Sequence, residues 1–178
     1  VNALRKAMEN IDAERLKRKN ELLIKEKLET AVPIIESGLI HNILLQEHFR
    51  EDIENYRSIL GITRQYAYMI AVVSGDEQQG NHMTNAVGSS VRMQKHYQEV
   101  RDCLKEHFDC IVGTVRANKL AVLVPYEKEI MDYNERIELI EKARELVRYM
   151  RKRTDISFRI GIGGPKDFLM ASESYTEA

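Results

Sequence analysis

"CIVGTVRANKLAVLVP", residues 110–125, is a β-hairpin in sequence form. Apolar and β-branched residues run from Ile111 to Val115, stop at Arg116, and resume at Leu120 beyond the Ala117-Asn118 pair. Two strand-length apolar runs separated by a short polar stretch predict antiparallel strands joined by a tight turn.

Outward from the hairpin the pattern stays mixed. Upstream, "YAYMIAVVS" (66–74) is a continuous apolar run, as a central strand covered on both faces requires. A polar loop, "GDEQQGN" (75–81), separates it from a helix predicted over 87–107 that carries Val91, Val100 and Leu104. Downstream, Ile137, Ile140, Val147 and Met150 recur at helical spacings and predict a helix over 134–153. The strand "ISFRIGIGG" (156–164) and a helix beginning near Leu169 follow. The order β, α, β-hairpin, α, β, α defines an α/β (α+β) class, with a mixed sheet flanked by helices.

The first third of the chain is different. Residues 2–31 hold no Gly or Pro and are rich in Ala, Leu, Glu, Lys and Arg, so a long helix is predicted. Leu4, Met8 and Ile11 lie on one face, the middle offers only Ala13 and Leu16, and Leu22, Leu23, Ile24 and Leu28 resume. That stripe is too uneven for a sustained coiled coil, yet suits a connector helix able to pair weakly with a second copy. Pro33 predicts a break, and "PIIESGLIHNILLQEHF" (33–49) a second helix with Ile35, Leu39, Ile43 and Gln46 on one side. "EDIENYRSILGI" predicts a third helix stopping at Gly61. The expected division is a connector helix over 1–32, a helical linker over 33–63 and a sheet domain over 64–178. Leu4, Met8, Ile11, Ile35, Leu39 and Ile43 are the candidate interface of a homodimer.

Composition narrows the function classes. The 178 residues are 43% hydrophobic, which supplies a core, and 27 Lys plus Arg balance 28 Asp plus Glu. No global field therefore favours nucleic acid or an anionic membrane. Cys103 and Cys110 form no CxxC pair, and no secretory segment or apolar run of about 18 residues is evident, so free thiols in a cytoplasmic protein are expected. His107 and Cys110 alone do not make a zinc site. The helical start and the end in "MASESYTEA" predict further domains on both sides.

Candidate chemistry is sparse. "GIGGP" (161–165) lacks both the G-x-G-x-x-G spacing and a Walker Lys, and reads as a strand end turning before Pro165. His41, His48, His82, His96 and His107 are scattered, with no nucleophile elbow; His41 and His48 could share a helix face. Arg144, Arg148, Arg151, Lys152 and Arg153 cluster where cations favour a helix C-terminus, although they could also dock a neighbouring domain or nucleic acid.

The element order and the hairpin resemble the catalytic domain of diguanylate cyclases, named for a Gly-Gly-Asp-Glu-Phe motif at the hairpin turn. The resemblance implies that the glycines admit a guanine nucleotide and the acids hold Mg²⁺, which needs oxygen ligands. With "LAVLVP" aligned to the strand after the motif, the five positions become Arg116, Ala117, Asn118, Lys119 and Leu120. Both glycines and both acids are replaced, and Lys119 would repel a metal. The family's other metal-binding carboxylate lies at the end of the first strand, where this chain has Ser74 and Gly75, with Asp76 and Glu77 slightly later. The resemblance therefore implies a degenerate GGDEF-like domain with no catalytic, cofactor-binding or metal-binding residues.

The long helix, "IIESGLIHNILLQEHF", the "SILGI" stop and "FRIGIGGP…SYTEA" together resemble the middle region of YesN-like two-component response regulators. There a receiver domain precedes and an AraC-type helix-turn-helix domain follows; CdaR- and PucR-type regulators carry a related module. The resemblance implies a non-enzymatic coupling and dimerisation module that neither accepts phosphate nor reads DNA itself. The alternative is a degenerate cleft that senses a nucleotide or metabolite, with Arg116, Asn118 and Lys119 contacting an anion.

Overall fold

A computed structural model describes residues 1–45, 50–75 and 82–178. The expected loop at 76–81, with Asp76 and Glu77, lies outside the described residues, as do Gln46 and His48.

Five strands form the sheet: β1 (Tyr66–Ser74), β2 (Ile111–Arg116), β3 (Lys119–Tyr126), β4 (Phe158–Ile162) and the short β5 (Lys166–Asp167). Their order is β2-β3-β1-β4, with β5 pairing the start of β1. Every described pairing is antiparallel. Each crossover joins strands that run the same way but have a third strand between them. β1 connects to β2 across β3, and β3 connects to β4 across β1, so parallel strands never become neighbours.

The helices are α1 (Asn2–Leu45), α2 (Arg50–Leu60), α3 (His82–Lys95), α4 (Tyr97–His107), α5 (Tyr133–Thr154) and α6 (Ala171–Glu177), the last entered through a 3₁₀ turn, Phe168–Met170. Asp132 starts α5 with a capping box: its carboxylate accepts from the Glu135 N–H at 2.9 Å, and the Glu135 carboxylate accepts from the Asp132 N–H at 2.8 Å. The single helix expected over 87–107 is two helices kinked at His96. The Tyr97 hydroxyl donates to the Gly113 carbonyl at 2.8 Å and fixes α4 against β2.

One face of β1, β2 and β3 presents Tyr68, Ile70, Val72, Val112, Leu120, Val122 and Val124 to Val100, Cys103 and Leu104 of α4 and to Leu146 and Met150 of α5. The opposite face presents Ala67, Met69, Ile111, Ala121 and Leu123 to a second core built from Leu39, Ile40, Ile43, Ile53, Phe168 and Ala171. The stretch 33–63, expected as a helical linker, thus contributes Leu39, Ile40, Ile43 and Ile53 to the second core. Leu39 and Ile43, expected at a dimer interface, are completely buried in this core, while Ile35 is half-buried.

Contacts divide the chain into Val1–Ile34 and Ile35–Ala178. The first unit is helix throughout from Asn2, with Leu4, Met8 and Ile11 exposed. The expected break at Pro33 does not occur: α1 continues to Leu45. A proline removes one helical hydrogen bond, and burial of Leu39, Ile40 and Ile43 keeps the following turns helical. Contrary to the sequence expectation, α1 is long and apolar enough to cross a membrane by length and composition. Part of its apolar character belongs to the second core.

Candidate functional site

The hairpin turns on Ala117 and Asn118, with Arg116 paired to Lys119 and Val115 to Leu120. Ala117 has φ of 54° and Asn118 does not share that sign. A positive φ at the first central residue alone is the signature of a type II′ turn, which favours glycine there. Alanine holds the conformation under strain, at the second motif position.

Lower down, Val112 pairs with Val122, so β2 holds one residue more than β3 between the two registers. This bulge contains Gly113 and Thr114. A Cβ on Gly113 would sit 3.1 Å from the Ala121 carbonyl oxygen and 3.2 Å from Ile40, which explains the glycine.

The structure separates the motif residues that sequence grouped together. Leu120 is fully buried in the first core. Asn118 turns to the end of β1: its side-chain amide donates to the Ser74 carbonyl at 3.2 Å, and its own carbonyl accepts from the Ser74 N–H at 3.0 Å. Arg116 and Lys119 line a cavity of about 30 Å³ on the second face, with Ser37, His41, Thr114 and Tyr175. There Arg116 Nη2 donates to His41 Nδ1. The two places where the resemblance puts metal-binding carboxylates, the hairpin tip and the end of β1, meet through the neutral pair Asn118 and Ser74. No group of three or more His, Cys, Asp or Glu side chains with metal-ligand geometry occurs among the described residues.

The glycine cluster has a structural cause. A Cβ on Gly161 would collide with the Ala178 carbonyl, and one on Gly163 with the Ser174 carbonyl, so α6 packs directly on bare backbone. The Ser174 hydroxyl accepts from the Met69 N–H at 2.9 Å, where β1 has left β5 and not yet reached β4. The Gly163 N–H donates to the Met69 carbonyl at 3.0 Å. Both polar groups of a buried residue are satisfied outside the ladder.

Glu36 is the buried acid that sequence reasoning missed. It accepts from Lys105 at 2.6 Å and Arg101 at 3.0 Å, with the Val112 N–H at 3.4 Å. These contacts join α1 to α4 and β2. Its signal was an acid inside the apolar run "PIIESGLI"; the partners, about seventy residues away, were not legible.

The cysteines are free and buried. Burial pushes the Cys110 thiol up to about 12, and burial also raises the Cys103 thiol. Both are poor nucleophiles. Of the basic cluster at the end of α5, Arg144 pairs with Glu141 at 2.9 Å and Arg153 reaches Glu106 at 3.4 Å.

A profile of the GGDEF-like domain matches residues 46–178, most of the chain, and the protein belongs to that family. A search of curated proteins finds no match.

Proposed function

We propose that this chain is a non-catalytic coupling and dimerisation module of a bacterial, cytoplasmic two-component transcriptional response regulator, of the YesN-like kind with an AraC-type DNA-binding domain. The observation that carries the reading is the Asn118–Ser74 pair, which puts hydrogen-bonding amide and backbone where cyclase chemistry needs carboxylate oxygen. In place of a reactive tip, the domain has a tip tied to β1, with α1 seated on the sheet and held by Glu36. A change imposed on α1 by an upstream receiver then reaches β2 through packed and ion-paired groups. Such coupling operates through two arrangements of different free energy.

Two measurements test it. Incubation with GTP and Mg²⁺ or Mn²⁺ yields no cyclic dinucleotide; product formation overturns the non-catalytic reading. Sedimentation equilibrium of residues 1–178 gives a dimer that becomes monomeric in the triple variant Leu4→Glu, Met8→Glu, Ile11→Glu. A wild-type monomer at tens of micromolar removes dimerisation from the proposal. Residues 35–63 stay in place for this test, because their removal strips the second core.

The second reading is ligand sensing, favoured by the Arg116 and Lys119 cavity. A thermal-shift screen with GTP, cyclic dinucleotides and sugars that moves no transition counts against it.

A further inference from the structure

The cavity at the hairpin tip is rich in donors and lacks acid. Arg116, Lys119 and Thr114 face it from the hairpin, Ser37 and His41 from α1, and Tyr175 from α6. Among the described residues no carboxylate lines it, and the side chains of Ser37, Thr114, Lys119 and Tyr175 have no hydrogen-bond partner. Arg116 and His41 meet each other. Two positive charges and three hydroxyls therefore line one small cavity.

Size selects the ligand class. About 30 Å³ is more than the roughly 10–15 Å³ that one water needs and far below the roughly 150 Å³ that encloses a benzene ring, so the cavity does not enclose a base or a sugar. An oxygen of a tetrahedral oxyanion fits inside, with the remainder at the mouth where the exposed Arg116 and Lys119 reach it. A guanidinium, an ammonium and hydroxyl donors match a phosphoryl group's geometry and charge.

We propose that Arg116, Lys119 and Thr114, with Ser37 and Tyr175 opposite, form a binding site for a phosphoryl oxyanion. The ligand is either inorganic phosphate or the terminal group of an organic phosphate. Because the donors come from the hairpin tip, α1 and α6, an occupied site clamps those three elements together. This gives the ligand-sensing reading a place and a chemical class, and stands whether or not the chain dimerises.

The test is titration of the ¹⁵N-labelled chain with sodium phosphate and with guanosine monophosphate, against sodium chloride at matched ionic strength. Phosphate is expected to give saturable shifts confined to the amides around Ser37–Leu44, Thr114–Ala121 and Tyr175. Arg116→Gln and Lys119→Gln each weaken binding roughly tenfold, as loss of a charge-assisted bond implies, while Lys142→Gln on α5 leaves it unchanged. Tighter binding of the nucleotide identifies an organic phosphate, and tighter binding of the inorganic ion a free anion. Shifts no larger than those with chloride, or unchanged in both hairpin variants, overturn the site. Mass measured on the same samples by sedimentation keeps a failure of dimerisation distinguishable from a failure of binding.

Discussion

The two faces of the sheet are closed by different means. The first is covered by helices that the chain forms between its own strands, and the buried Thr154 beside its core is satisfied locally, donating to the Met150 carbonyl and accepting from the Ile156 N–H. The second is covered by the end of α1, by α2, and by Phe168 and Ala171 near the other end of the chain. Its neighbourhood contains the buried Glu36 and the fully buried Ser174. Where crossover helices cover a sheet, connectivity brings the cover into place. Where distant segments do so, polar contacts such as Glu36 to Lys105 and Ser174 to Met69 fix their register.

The strongest way to break this contrast is to empty each core in turn. Phe168→Ala on the second face should cost about 3–5 kcal/mol, and Leu146→Ala on the first about 2–5 kcal/mol. Both residues are essentially fully buried and β1 and β3 belong to both cores, so each variant should unfold in urea as a single transition. Two transitions in either would show the faces to be separately cooperative.

Glu36 comes next. Glu36→Ala leaves Arg101 and Lys105 without their acid and should cost about 3 kcal/mol, whereas the triple variant Glu36→Met, Arg101→Met, Lys105→Met, which removes the charges together, should be nearly neutral. Equal losses in both variants would mean that the ion pairs themselves provide the stability.

A smaller effect of opposite sign is expected at the tip. Ala117→Gly should stabilise the domain by about 1 kcal/mol, read from the urea midpoint, because glycine holds a positive φ without strain.

The smallest effect is one of pH. The Lys128 ammonium and the Asp132 N–H lower Glu135 from its ordinary 4.5 to about 2. Its contribution is present above the unfolded value and is lost as pH falls from about 4.5 toward 2. Glu135→Gln should flatten the acid side of the stability profile over that window, and an unchanged profile would show the exposed capping box to be fully screened.

Local chemistry explains what was legible. The hairpin over 111–116 and 119–126, the central strand 66–74 and the helix over 134–153 are each written in their own apolar spacing, and the structure has them within a residue or so. Pro33 misled because tertiary burial outweighed a local preference. Leu39 and Ile43 looked like an interface because an apolar helix face reads the same whether its cover is another chain or the same one. The turn at Ala117-Asn118 was legible, but not that Asn118 would reach Ser74 while Arg116 and Lys119 turned to the other face. Side-chain direction at a two-residue turn depends on turn type and on the bulge below it.

The bulge in β2 also gives the hairpin a parity. Val115 and Val112 are three residues apart yet face the same core, because one unpaired residue between them resets the alternation. Loss of a single residue at Gly113 or Thr114 would leave Val112 two residues from Val115, as Val122 stands two from Leu120, and so give a regular ladder with Ile111 and Val112 facing as before, whereas loss of both would turn each toward the wrong layer. The bulge therefore absorbs the first deletion in this strand and cannot absorb a second.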